Sequence, residues 1–173
     1  DLLNGEELAL LAKMRPGLVQ LEIGVQSTNL QTLEAVRRHT NLDKLRHAVV
    51  RIHSEYNIHV HLDLIAGLPY EDYESFGKSF DDVYALEPEQ LQLGFLKVLK
   101  GSYMYEHAKE YEAVYRAKPP YEVLRTKWLS YEDICNIKLA EEMLEVYYNS
   151  TQFPVSIRLL ETIHESAYHM FEN

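Results

Sequence analysis

Cysteine is all but missing from this sequence: Cys135 is the single thiol in 173 residues. One thiol excludes a disulfide framework and a thiolate zinc site, and it cannot by itself ligate an iron–sulfur cluster. Cys135 falls on an apolar helical stripe with Leu139, the setting of an inert buried thiol rather than a nucleophile. Basic charge is scarce as well, with 17 Lys and Arg against 27 Asp and Glu and a formal net charge of −10. A surface built to neutralise phosphates needs clustered cations, so this balance argues against nucleic acid as a partner. Long apolar runs are lacking: none approaches the roughly 18 to 20 residues that span a bilayer. The start, Asp1-Leu2-Leu3-Asn4, lacks the basic stretch of a signal peptide, so the chain is expected to be cytoplasmic and to have no membrane partner. It does not begin with Met, which points to a piece of a longer protein. There is no internal repeat and no low-complexity linker. What is present is a hydrophobic content of 46%, enough for a real core.

The pattern of the first hundred residues alternates between two periods. Asn4 with Glu7 caps an opening helix that ends at Arg15-Pro16-Gly17. Leu18 to Val25 alternates Val19, Leu21, Ile23 and Val25 with less apolar positions and predicts a strand. Ser27-Thr28-Asn29 supplies turn and cap chemistry before helices over Leu30 to Arg38 and Leu42 to Tyr56, the latter with Leu45, Val49, Ile52 and Tyr56 at helical intervals. Ile58 to Ile65 predicts a second strand, ended by Ala66-Gly67-Leu68-Pro69. A helix over about Glu71 to Leu86 and a third strand over Leu91 to Leu99, weakest at Gly94, complete the series. Strand starts about 30 to 40 residues apart are the cadence of βα units in a parallel sheet or barrel, hence an α/β fold. Beyond Gly101 the periodicity turns helical throughout and rich in tyrosine, with a break at Pro119-Pro120. Ser130 and Asp133 cap a helix running to Tyr148, and a last helix is expected near Val155 to Phe171. The expected parts are residues 1–101 and a helical region over 102–173.

Parallel sheets assemble their sites at the C-terminal ends of strands, which is where Gln26, Asp63 and Gly67 fall. Asp63 is the sharpest signal. A carboxylate on a half-buried strand costs several kcal/mol unless it is paired or used. Ordinary readings compete with each of these residues: Asp63 can be satisfied by an arginine or by amides, Gln26 and Ser27 can be turn chemistry, and Arg37-Arg38-His39 can complement a helix dipole. Together, an amide, a guanidinium and a carboxylate can engage the hydroxyls and the carboxylate of a zwitterionic nucleoside.

Glu22-Ile23-Gly24-Val25-Gln26-Ser27, then Arg38, then Asp63-Leu64-Ile65-Ala66-Gly67-Leu68-Pro69 resemble the elongator/MiaB/anaerobic coproporphyrinogen dehydrogenase branch of the radical S-adenosylmethionine (SAM) enzymes. The resemblance covers about residues 1 to 102. It implies that the chain is the C-terminal half of a partial TIM-type (β/α) barrel, with Leu91 to Lys97 and Gly101-Ser102 as the sixth strand and its exit. It further implies that Gln26 and Asp63 lie at the SAM ribose, Arg38 at the methionyl carboxylate, and Ile65, Ala66 and Gly67 beside adenine, with Ser27 also among the cofactor-binding residues. The cofactors implied are SAM and a 4Fe-4S cluster whose ligands lie outside this chain. The CxxxCxxC loop and the glycine-rich second strand of the family are absent, so the chain alone is not expected to be catalytic. The stretch from Gln92 through Pro119-Pro120-Tyr121-Glu122-Val123-Leu124 to Tyr147-Tyr148-Asn149-Ser150 resembles radical SAM proteins with an N-terminal cobalamin-binding domain, some of them anaerobic magnesium-protoporphyrin ester cyclase-like. Cobalamin is thereby a candidate cofactor of the longer protein, an organic small molecule its substrate and a reductant protein its partner.

Other readings come from the residues themselves. His59, His61 and Asp63 alternate along one strand face, as in metal-dependent barrel hydrolases. The tyrosine-rich C-terminal part could serve a non-enzymatic interaction module, although tyrosine at helical spacing is more often core packing. Lys97 and Lys100 near a strand exit could meet a substrate carboxylate, against a default of solvated lysine. An open half-barrel also exposes sheet edges that invite homodimerisation.

Overall fold

The structure, a computed structural model, describes residues 4–55 and 58–172. The expected Asp1-Leu2-Leu3 start and Tyr56 lie outside the described residues. Asn4 opens α1 (Gly5–Leu11) with a capping box, its side chain accepting from the Glu6 and Glu7 amides while Glu7 accepts from its own N–H. Next come β1 (Gln20–Gln26), α2 (Leu30–Ala35), α3 (Leu42–Glu55), β2 (His59–Ala66), α4 (Tyr73–Tyr84) and β3 (Gln90–Phe95). The three strands pair in the order β1-β2-β3, both ladders parallel. The α/β class and the parallel sheet read from the sequence are therefore present.

The sheet has two unlike faces because side chains alternate along each strand. Val60, Leu62, Leu64 and Ala66 of β2 are fully buried, as are Leu91 and Leu93 of β3, and they pack with Leu45, Val49 and Ile52 of α3 and Phe76, Phe80 and Val83 of α4. The other face carries Gln20, Glu22 and Gly24, then His59, His61, Asp63 and Ile65, then Gln90, Gln92 and Gly94, brought side by side by the register. That polar face positions the candidate site.

The structure departs from the sequence expectations in four places. Helix α2 stops at Ala35 rather than Arg38, because Arg37 takes φ 57° and the Arg38 amide turns back to the Leu33 carbonyl at 2.8 Å, a Schellman-type end. Strand β3 ends at Phe95 rather than Leu99. From there the chain exchanges partners: the Leu96 carbonyl accepts from Val123 at 2.8 Å and the Val98 amide donates to Tyr121 at 2.9 Å, which buries Leu96 and Val98. Beyond α5 (Tyr103–Glu106) the chain is not helical throughout: β4 (Val114–Tyr115) and β5 (Val123–Arg125) form an antiparallel pair around the Pro119-Pro120 break. The expected final helix is two. After α6 (Tyr131–Leu144), capped by Ser130 and Asp133 and continued by a π-helical turn over Glu145–Asn149, come α7 (Pro154–Glu161) and α8 (Ala167–Glu172). The break lets α8 turn inward. The Asp81 carboxylate accepts from the Tyr168 amide at 2.8 Å, and Tyr168 packs on the bare Gly77 backbone of α4, where a Cβ would come within 2.8 Å of its ring. Tyr168, Met170 and Phe171 are buried in this way, whereas Val155, Leu159 and Ile163 on and after α7 remain exposed.

The outer edge of β3 is capped by a side chain. Asn149 accepts from the Leu91 amide at 3.1 Å and donates to the Leu91 carbonyl at 2.9 Å, a surrogate for a neighbouring strand.

Candidate functional site

The polar face ends in a cavity of about 370 Å³, lined among others by Glu22, Gln26, Asp63, Ile65, Gln92 and Lys97. Gln26 enters it because of an irregularity. The β1–β2 register slips between Gly24 and Gln26, Val25 stays buried on the helix side, and Gln26 adopts φ 73° at the strand end. Its amide folds over Gly24, where an added Cβ would come within 2.4 Å of Gln26 Nε2 and 3.8 Å of Arg38 Nη2. Arg38 reaches the same strand end and donates from Nη2 to the Gly24 carbonyl. An amide and a guanidinium thus converge at the C-terminal end of β1.

Asp63 supplies the acid. It is half-buried, and its Oδ1 is buried with no hydrogen-bond partner. Burial pushes its pKa above the ordinary carboxylate range and the neighbouring Glu22 carboxylate adds to this, while His61 pulls the other way. His61 itself lies 3.1 Å from the Gln20 amide nitrogen.

The remaining residues singled out from the sequence are placed differently. Ile65 lines the cavity. Ala66 points into the core, and Gly67, at φ 92°, has Val123 of β5 against it, so that a Cβ would come within 2.6 Å of Val123 Cγ1. Both can meet a ligand only through backbone atoms. Ser27 is fully buried, and its hydroxyl donates to Glu71 at 2.6 Å, apart from the cavity lining. His59, His61 and Asp63 share a face, yet no group of three His, Cys, Asp or Glu among the described residues is arranged to hold a metal. The hydrolase reading therefore has no geometric support.

Sequence reasoning passed over Glu22, Gln92 and Phe95 as site residues. Glu22 and Gln92 could have been found by parity, since each occupies the strand face that Asp63 occupies. Phe95 carried no such signal: its ring takes the Lys138 ammonium at 4.6 Å, while that lysine pairs with Glu122 at 2.5 Å. Arg37, one residue before Arg38, lies over the Tyr103 ring at 4.3 Å and ties this corner to the segment after Gly101.

Comparison with known proteins bears on both parts. Residues 109–173 match a family described as a protein of unknown function (DUF4080). The chain is 30% identical over 118 residues to the oxygen-independent coproporphyrinogen-III oxidase-like protein HemZ of Bacillus subtilis, covering 67% of this chain and 23% of that protein. It is 31% identical over 77 residues to the oxygen-independent coproporphyrinogen III oxidase of Pseudomonas aeruginosa, 44% of this chain and 17% of the relative. Among solved structures, coproporphyrinogen III oxidase (HemN) of Escherichia coli, a radical SAM enzyme, superposes with a TM-score of 0.53 at 18% identity over 82% of this chain and 32% of its own. The chain shares the fold of that radical SAM enzyme over the superposed region. A second solved relative, the Methanocaldococcus infernus Elp3 lacking its N-terminus, gives a TM-score of 0.51 at 21% identity over 62% of this chain and 25% of its own. At these identities the radical SAM likeness of the solved structures is one of fold. The chain spans 23% and 17% of the two curated relatives. No described helix is long and apolar enough to cross a membrane.

Proposed function

We propose that this chain supplies the SAM-binding strand ends of a longer radical SAM enzyme, as the C-terminal half of its barrel over residues 1–101, followed by an accessory region over 102–173. The observation that carries this reading is the buried, unpartnered Oδ1 of Asp63, a residue that lines the same cavity as Gln26. A carboxylate with an unused acceptor suits a ribose hydroxyl, because a charge-assisted hydrogen bond replaces lost hydration. Gln26 would accept or donate at the same diol. Arg38 at the strand end suits the methionyl carboxylate, which a guanidinium can clamp through two parallel bonds. Ile65 offers an apolar wall to adenine, and the backbone at Ala66 and Gly67 offers polar edges. The polar sheet face would then be the barrel interior.

A 4Fe-4S cluster does not fit the residues of this chain, which has one thiol. In the proposal its ligands are elsewhere in the longer protein. Held elsewhere in that protein, such a cluster would with SAM supply radical chemistry on an organic substrate. The part of this chain is to orient the nucleoside and exclude water from it. Cobalamin in the longer protein, a reductant partner, a porphyrin-type substrate and pairing of copies through the open β1 edge belong to the same proposal and rest on the resemblance and the open sheet.

The test is calorimetric SAM binding in the cluster-loaded protein. Arg38→Ala or Asp63→Ala should each raise Kd about tenfold to a hundredfold, since a charge-assisted hydrogen bond contributes roughly 1.5 to 3 kcal/mol. His59→Ala should do little, because four residues of strand place it about 13 Å from Asp63. Unchanged affinity in both the Arg38 and Asp63 variants would overturn the assignment.

A further inference from the structure

Among the described residues, Glu71 is the one charged side chain that is fully buried, at 0% exposure. It lies in the turn between β2 and α4, outside the cavity. Its Oε1 accepts from Ser27 Oγ at 2.6 Å and from Ser79 Oγ at 2.8 Å. Both hydroxyls also accept from the turn after β1: the Asn29 amide donates to Ser27 Oγ at 2.9 Å, and the Thr28 amide to Ser79 Oγ at 3.1 Å. Asn29 Nδ2 crosses to the Tyr70 carbonyl at 3.0 Å. These donors converge, through two hydroxyls, on one carboxylate oxygen, while Oε2 is buried without a partner.

Such an acid is costly. Desolvation raises its pKa to about 7 against the pull of the two serine hydroxyls. The titratable groups around it are Asp72, next in the chain, and, across Thr28 Oγ1 at 2.7 Å, Asp82 paired with Lys78. What the cost secures is the relation of two turns. Ser27 follows Gln26, held at φ 73°, and Glu71 follows the Gly67 turn, held at φ 92°.

We infer that Glu71 is a positioning residue: as the shared acceptor it clamps the turn after β1 to the turn after β2, and so fixes Gln26 against the Ile65–Gly67 segment. Its purpose rests on the SAM reading above, whereas the clamp is a property of the chain itself. Removing the acceptor strands both serine hydroxyls, and because their oxygens hold the Asn29 and Thr28 amides, the loss reaches the turn after β1.

The experiment is NMR of the chain. The three-bond amide–Hα coupling of Gln26 reports its φ, the Thr28 and Asn29 amides report the network, and added SAM is the probe for the strand ends. Glu71→Gln keeps an acceptor oxygen and should preserve the Gln26 coupling and its SAM response while abolishing the pH titration of the Thr28 and Asn29 amides. Glu71→Leu should move the Gln26 coupling to an extended value and raise the SAM concentration needed to shift Gln26 about tenfold, the equivalent of one buried hydrogen bond. Ser27→Ala, which leaves the carboxylate in place, should move the coupling likewise and decides the matter if the leucine variant does not fold. A Gln26 coupling unchanged by these substitutions, or not restored by Glu71→Gln, overturns the clamp. A wild-type chain with no SAM response removes the functional reading, and the couplings then still decide the clamp.

Discussion

Replacing Gly67 by alanine perturbs the point where the sheet meets the C-terminal segment. Two costs are separable there. Gly67 sits at φ 92°, a conformation that strains any side chain by about 1 to 3 kcal/mol, and its missing Cβ is where Val123 Cγ1 packs, at 2.6 Å from the position a Cβ would take. Overpacking of that kind costs a further 1 to 3 kcal/mol or so. Gly67→Ala should therefore destabilise the chain by about 2 to 6 kcal/mol, a fall in Tm on the order of 10 °C for a domain of this size. Val123→Ala removes the obstructing methyls from a fully buried position and should cost about 2 kcal/mol alone. In the double variant the clash is gone and only the backbone strain remains. Urea unfolding of the four species should thus give a coupling of about 1 to 3 kcal/mol in favour of the double variant. Strict additivity would mean that β5 does not rest on the Gly67 turn.

Further expectations concern pH, capping and iron. The folded chain holds the Glu71 proton with a pKa of about 7 against an ordinary 4.5. Its contribution should be fully present below about pH 4.5 and lost as pH rises through 7, a decline on the order of 3 kcal/mol that Glu71→Gln should abolish in urea unfolding at pH 5 and pH 8. Ser130→Ala, which removes one half of the α6 capping box, should cost about 1 kcal/mol by the same assay, with no effect on SAM binding. Anaerobic reconstitution of this chain alone should yield no stoichiometric 4Fe-4S cluster by iron analysis.

The parallel sheet was legible because period-two alternation in Leu18 to Val25 and Ile58 to Ile65 is enforced by one helix-covered face. The helices were legible from their caps, as at Asn4 and Ser130. The C-terminal half was less so. Val114-Tyr115 and Val123-Leu124-Arg125 are too short for a period, and their pairing depends on Leu96 and Val98, about 25 residues upstream in the chain, leaving β3. The break between α7 and α8 likewise depends on Asp81 and Gly77 of α4, which no local window contains. At the site, Gln26, Arg38 and Asp63 were found by type and position, yet the slip that aims Gln26 into the cavity and the Ser27–Glu71 bond are tertiary facts. Ser27 read as a ligand contact in sequence and stands in the structure as part of the network beneath it.

The most direct measurement is a titration of SAM into the isotopically labelled chain, followed by amide and side-chain shifts. Responses should cluster on the polar strand ends, at Gly24, Gln26, Asp63, Ile65 and Gly94, and be abolished by Asp63→Ala. A second cavity of about 280 Å³, lined by Tyr84, Tyr147 and Tyr148 near the start of β3, serves as the internal control. Shifts confined to that cavity, or a strand-end response indifferent to Asp63→Ala, would contradict the claim that this face holds the nucleoside.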